Sequence, residues 1–240
     1  MVAKNYIFGR KYGSALLTNL VAYYNLDANA NDVVNSHNGT STNISYSNAG
    51  KNGNCATFNG TSSMIVTPQT TDFDFSTISS DLPFSFSFWS YSASNSGTQY
   101  VINKRAASGV TDQWAIAKVG VNLYLNLFTT TSIYIGKYIN ATPTLNVWEH
   151  YVVTYNGNGA NSGITWYKNG VSTATTNSSA GTYTKMPITS QTATIGRANW
   201  TATGYLNGRL DEMAIWKNRE LNATEVAELY NAGTGKFYPF

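Results

Sequence analysis

The sequence predicts an all-β domain, a sandwich of antiparallel sheets with one short helix near its C-terminus. Three local patterns carry that expectation. Residues 84–91 alternate Phe84, Phe86 and Phe88 with Ser85 and Ser87 before Trp89 and Tyr91 load the second face, the period-two mark of a strand used on both sides. Asn169-Gly170 stands between two extended segments, and a type I′ turn needs the positive φ that this pair accepts. Residues 208–216 form an apolar run that passes through a polar turn into Leu221-Asn222-Ala223-Thr224-Glu225-Val226. This pattern reads as a last strand central to its sheet, followed by a helix that plugs an edge.

Taken in order, residues 1–19 are basic, glycine-containing and without periodicity. They read as an arm that anchors the domain or packs on another copy, and residues 20–240 read as the domain itself. The first strand covers residues 20–24, followed by the polar loop Leu26-Asp27-Ala28-Asn29-Ala30-Asn31-Asp32. Residues 55–58 and 64–66 flank Asn59-Gly60-Thr61-Ser62-Ser63 and read as a hairpin. Residues 113–118, 121–128 and 132–136 read as successive antiparallel strands with tight connections. Residues 148–155, 163–168, 192–196 and 206–216 complete about a dozen strands. In the helix, Asn222 caps the N-terminus, Glu225 reciprocates at N3, Leu221 staples to Val226, and Val226, Leu229 and Tyr230 form the buried stripe. Gly233 is the expected terminating residue.

Composition narrows function. Aromatics are plentiful, with 17 Tyr, 10 Phe and 6 Trp, while charged residues make up 11%. The net charge of +3 is spread without a Lys/Arg cluster, and counterion release needs several cations on one surface, so nucleic acid is not an expected partner. No run of about twenty apolar residues is present, which argues against membrane insertion by a helix. The first residues do not read as a secretory signal, so a role outside a cell would need another route, such as an assembled particle. Cys55 is the one cysteine; it reads as a buried small hydrophobe.

Catalytic constellations are missing. A glycoside hydrolase needs two carboxylates across a cleft, whereas Asp211 and Glu212 are adjacent and read as pointing to opposite faces. Glu149 is isolated. His37 and His150 lack neighbouring Cys or His for zinc, and His150 reads as structural and hydrogen-bonded. A glycan site wants an exposed aromatic platform beside amide groups. Among residues read as loops, Trp200, Asn199 and Tyr205 are the candidates, with Tyr100 and Tyr138 as further exposed aromatics.

Several segments resemble one family in order: residues 26–32 with Asn38-Gly39-Thr40, Ala56-Thr57-Phe58-Asn59-Gly60, Phe86-Ser87-Phe88-Trp89, residues 148–155, Trp166-Tyr167-Lys168-Asn169-Gly170, Ile195-Gly196-Arg197, and residues 208–230. Together they resemble laminin-G-like domains of the concanavalin-A-like lectin/glucanase superfamily, in the subgroup that also resembles pentraxins. The resemblance implies a jelly-roll sandwich of two curved antiparallel sheets with one short C-terminal helix. It also implies binding of glycans, proteins or lipids, and a structural Ca²⁺ for which Asp27, Asp32 and Asp211 are the matching positions. Hard cations favour such oxygen donors, although Asp27 and Asp32 equally suit turn capping through their own backbone.

The function expected on these grounds is a non-enzymatic recognition or structural module on a virion surface, in a tail or head fibre or decoration. A host surface glycan and other virion structural proteins are its expected partners, and the aromatic surface serves ligand binding or a homo-oligomer equally. The alternative is a bacterial cell-surface or secreted carbohydrate-binding or adhesion module, and a glycoside hydrolase is the third class. Fold alone does not decide between them.

Overall fold

A computed structural model of the chain describes residues 14–106, 112–140 and 142–240. Sixteen strands appear among these residues: β1 (Leu20–Tyr24), β2 (Thr40–Thr42), β3 (Ser45–Ala49), β4 (Asn54–Asn59), β5 (Met64–Val66), β6 (Phe84–Ser92), β7 (Thr98–Lys104), β8 (Trp114–Val119), β9 (Asn122–Thr130), β10 (Ile133–Ile139), β11 (Trp148–Tyr155), β12 (Ile164–Lys168), β13 (Val171–Ser172), β14 (Thr175–Ala180), β15 (Thr194–Ile195) and β16 (Asn207–Lys217). One helix, α1 (Ala223–Tyr230), follows. The strands form two sheets, β13-β12-β11-β6-β16-β4-β3 with β1 also on β16, and β14-β10-β9-β8-β7-β15-β5-β2. All named pairings are antiparallel, as an all-β jelly-roll sandwich requires.

The core lies between the sheets, where the alternation of β6 sends Phe84, Phe86 and Phe88 inward. Phe75 stacks on Phe84 with ring centroids 4.4 Å apart, and Phe86 meets Trp114 at 5.0 Å. The Trp114 indole N–H donates to the Phe73 carbonyl at 3.0 Å, so its burial leaves no polar atom unpaired. The last strand is central, as expected. Residues 207–210 of β16 pair with β4, residues 213–216 pair with β1, and a bulge separates them with Glu212 at φ 51°.

A second apolar cluster covers the outer face of the first sheet. Val226 and Leu229 of α1 pack with Ala214, Trp216, Val152 and Tyr167, joined by Leu16 and Leu20. The helix therefore covers a sheet face and also reaches the edge strand β13. The capping box forms as read: the Asn222 side chain accepts from the Thr224 and Glu225 amides, and Glu225 accepts from the Asn222 amide. Replacing Asn222 with Ala is expected to lower stability by about 1 kcal/mol in urea unfolding. Termination differs from expectation, because Asn231 takes the left-handed turn (φ 46°) before Gly233 is reached.

Other expectations are corrected. Residues 59–63 do not close a hairpin. β4 belongs to the first sheet and β5 to the second, so this segment carries the chain across the sandwich. Strands β2, β3, β13 and β14 were not legible because their residues are polar and largely exposed. β7 was obscured by a register shift between Tyr100 and Ile102 that breaks its alternation. Of the arm expected at 1–19, residues 1–13 lie outside the described residues. Residues 15–17 form a single turn, and Leu16 is buried in the outer cluster.

His150 on β11 takes the structural role read for it. It is 2% exposed, with Nε2 at 2.8 Å from the Ser87 hydroxyl and Nδ1 without a partner. Burial pushes its imidazole down to about 3. The unfolded state therefore binds more protons between about pH 6.5 and that value, and stability from this group is lost as pH falls through the window. Glu212 and Lys236 line the same small cavity. Burial pushes the Glu212 carboxyl up, so its contribution has the opposite slope. Comparing the protein with His150→Gln isolates the histidine: the stability lead of the native chain should shrink by about 2 kcal/mol between about pH 7 and pH 5 in urea melts.

Candidate functional site

The outward face of the second sheet carries an aromatic row built by register. On β9, Leu123, Leu125 and Leu127 face the core, so Tyr124 and Asn126 project the other way. Tyr100 pairs with Ala117, Ala117 with Tyr124, Tyr124 with Tyr138, and Tyr138 with Thr176. Directly opposed residues share a face, so this row crosses five strands. The Tyr124 and Tyr138 rings lie 4.6 Å apart at 32°. Ala117 separates that pair from Tyr100 and forms a small-residue floor.

A second row runs alongside, with Ala115 opposite Asn126, Asn126 opposite Gly136, and Gly136 opposite Ser178. Gly136 is needed here because a Cβ would collide with the Leu125 carbonyl and the Asn126 side chain. The face is thus shallow, floored by Ala115, Ala117 and Gly136, and lined by half-buried tyrosines with amide and hydroxyl groups beside them.

The connection between β15 and β16 walls the β7 side. Trp200 stands edge-on to Tyr100, with centroids 5.3 Å apart at 83°. The Arg105 guanidinium lies between Trp200 at 4.1 Å and Phe128 at 4.2 Å. Asp112 holds it by two bonds of 3.0 and 2.7 Å. Burial pushes the Tyr100 phenol up, while the nearby Arg105 cation partly offsets it. Trp200 is consequently held in one orientation, its ring pinned by a charge-paired cation.

Of the residues expected to bind ligand, the structure brings Trp200, Tyr100 and Tyr138 together and gives Asn199 another task. The Asn199 amide N–H₂ donates to the Arg105 and Thr192 carbonyls at 2.8 Å each, and its oxygen accepts from Thr194 at 2.6 Å. It fixes the loop that presents Trp200. Tyr205 is half-buried beyond Gly204 and stands outside the row. Tyr100 and Tyr138, read as loop residues, lie in strands. Tyr124 was missed, although its place opposite three leucines was the available signal.

The three acids separate into two places. Asp32 accepts from the amides of Tyr23, Val34, Asn35 and His37 and from the His37 ring. This is turn capping, and none of these partners is shared with the other two acids. Asp27 accepts from the Asn54 amide, and Asp211 from the amides of Lys51 and Asn52. Both therefore face the turn between β3 and β4. Asp211 is fully buried, its Oδ1 has no partner, and burial pushes its carboxyl up to about 8.

The bulge also overturns one expectation about this pair. Asn52 bonds to Asp211 through its backbone and to Glu212 through its side chain at 2.8 Å, so the two acids converge instead of opposing. They do so under the turn and against the Tyr23 hydroxyl, with 0% and 4% exposure, where no substrate reaches them. Among the described residues, no group of three or more His, Cys, Asp or Glu is placed to hold a metal ion. The aromatic row has no carboxylate in it. What it offers is stacking surface and neutral hydrogen-bonding groups.

The two antiparallel sheets and the short C-terminal helix define a jelly-roll sandwich. A family described as the concanavalin A-like lectin/glucanases superfamily matches residues 59–227, and the chain belongs to this family. No curated protein matches it by sequence. Solved structures of similar fold include domain 4 of AbnA, a GH43 extracellular arabinanase from Geobacillus stearothermophilus, in complex with arabinotriose. The TM-score is 0.61 at 21% identity, covering 87% of this chain and 97% of that one. The binding domain of botulinum neurotoxin DC in complex with SialylT aligns with TM-score 0.65 at 16% identity, covering 90% and 52%. The binding domain of Paraclostridial Mosquitocidal Protein 1 aligns with TM-score 0.65 at 20% identity, covering 89% and 52%. The chain spans about half the length of these toxin domains.

Proposed function

We propose that the chain is a non-catalytic carbohydrate-recognition module whose ligand lies across Tyr100, Tyr124 and Tyr138 beside Trp200. The observation that carries this is the five-strand row itself. Tyrosines are spaced over an alanine floor, with Asn126, Thr176 and Ser178 at hand for hydroxyl groups. Aromatic faces pack on the apolar faces of sugar rings, while amides and hydroxyls fix orientation. The arabinotriose complex of the AbnA domain and the SialylT complex of a neurotoxin binding domain support saccharide as the ligand class.

The setting we favour is extracellular or at a bacterial cell surface, as a secreted or surface adhesion module, because the supporting folds come from an extracellular enzyme and from toxin binding domains. A virion-surface role with virion partners rests on the sequence reading alone, as does a homo-oligomer. Placement in a pentraxin-like subgroup rests on the sequence motifs alone. The test is a glycan array followed by calorimetric titration of the best ligand. Trp200→Ala should weaken binding about tenfold with the fold intact. Absence of any saccharide ligand, or an unchanged affinity in that variant, would contradict the reading.

Calcium is a separate proposal. Asp27 and Asp211 fit it in part, since both face one turn and Asp211 keeps a buried unpaired oxygen. Asp32 does not fit, because five donors already occupy its carboxylate. A Ca²⁺ ion there would neutralise two carboxylates at the turn. Adding Ca²⁺ after chelation should then raise the melting temperature of the native chain and leave Asp211→Asn unmoved; equal melting with and without Ca²⁺ would dismiss the site.

A further inference from the structure

The outer face of the first sheet is only half covered. α1 and the C-terminal segment lie over Ala214, Trp216, Val152 and Tyr167, while the other end of the same strands stays open. There, Thr57 of β4 opposes Arg209 of β16, Arg209 opposes Tyr91 of β6, and Tyr91 opposes Trp148 of β11. This row of four lies on the opposite side of the sandwich from the tyrosine row. An open cleft of about 200 Å³ is lined by Thr57, Arg209 and Tyr91 of this row together with Phe58, Asn146 and Asn207, and Trp148 stands at its margin through its packing on Tyr91. Gly208, at φ 152°, lets β16 approach β6 where a Cβ would strike the Tyr91 carbonyl.

The chemistry of this cleft is unlike that of the other face. The Arg209 guanidinium lies 4.7 Å from the Tyr91 ring centroid, and Tyr91 packs on Trp148 at 5.7 Å. Arg105 and Arg219 are each paired with a carboxylate, Asp112 and Glu225. Arg209 has no hydrogen-bond or ion-pair partner among the described residues. Asp211, two positions along, is committed to the Lys51 and Asn52 amides. A stacked guanidinium keeps its planar fork of donors directed outward, the geometry that takes a carboxylate through two parallel bonds. The aromatic pair supplies a surface for a ring, and the side-chain amides of Asn146 and Asn207 supply groups for hydroxyls.

We propose that this cleft is a second binding site, specific for a carboxylate-bearing sugar of the uronic or sialic acid class, with Arg209 gripping the carboxylate and Tyr91 and Trp148 supporting the ring. The site stands independently of the tyrosine row, and the test separates them. The full chain is titrated with glucuronate and with N-acetylneuraminate, with glucose as the neutral control, following the Trp148 indole and Arg209 side-chain NMR signals. At least one acid should shift both signals while glucose does not, and raised salt should weaken the effect. Arg209→Gln should lower affinity by about tenfold or more, with Arg209→Lys between the two. Tyr124→Ala should leave the titration unchanged, whatever it does to binding on the other face. Silence from both acids, an equal response to glucose, or undiminished binding in a folded Arg209→Gln chain would overturn the proposal.

Discussion

Replacing Trp216 with Ala is expected to cost about 3–5 kcal/mol, the largest effect of any single change considered for this chain. The side chain is fully buried, its indole N–H donates to the Leu16 carbonyl at 2.7 Å, and its ring lies nearly parallel to Phe240 with centroids 6.2 Å apart. It thus links the N-terminal turn, the outer cluster and the C-terminal residues. Trp216→Phe keeps most of the packing and loses the hydrogen bond, so about 1 kcal/mol of additional loss comes from the unpaired carbonyl. Urea unfolding measures both. Hydrogen exchange should show residues 15–17 and α1 losing protection first, while the second sheet keeps its own. A Trp216→Ala chain within about 1 kcal/mol of the native one would mean that the outer cluster does not stabilise the sandwich.

The second large effect concerns ligand binding. Tyr124→Ala and Tyr138→Ala remove rings that touch each other at 4.6 Å and project from the sheet rather than into the core. Each should lower saccharide affinity by about tenfold to a hundredfold, equivalent to about 1.4–3 kcal/mol. Because the rings are in contact, the double variant should lose less than the sum. The cost to folding should be much smaller than for a core aromatic, since Leu123, Leu125 and Leu127 on the other face remain. Calorimetric titration of the three variants, with melting curves run alongside, separates the two effects. Full affinity in the folded double variant would remove the row from the site.

How much of this was readable in the chain depends on whether the signal is local. The alternation of Phe84, Phe86 and Phe88, the Asn169-Gly170 turn and the Asn222/Glu225 cap involve neighbours in sequence, and each appears where its local chemistry places it. Strand β14 has no apolar face, because it is an exposed edge, so nothing in Thr175–Ala180 announces it. The bulge at Glu212 could not be anticipated from strict alternation, which is why Asp211 and Glu212 were assigned to opposite faces. The tyrosine row is the extreme case. Tyr100, Tyr124 and Tyr138 are aligned only because three strand pairings adopt one register, and register between distant strands is written in no local motif. Trp200 was identifiable as an aromatic in a polar loop, whereas its half-buried place against Tyr100 and the Arg105 and Asp112 pair that holds it depend on tertiary contacts.

The central claim, that the outward face of the second sheet is the recognition surface, is tested most directly by mapping ligand contacts on the native chain by NMR. The Ala115 and Ala117 methyl groups, on the floor between the tyrosines, serve as reporters for an oligosaccharide selected on a glycan array. Saturating ligand should shift the Ala117 methyl, the Tyr100, Tyr124 and Tyr138 rings and the Trp200 indole together, with one dissociation constant. Shifts confined to any other surface, with the Ala117 methyl and these rings unmoved, would contradict it.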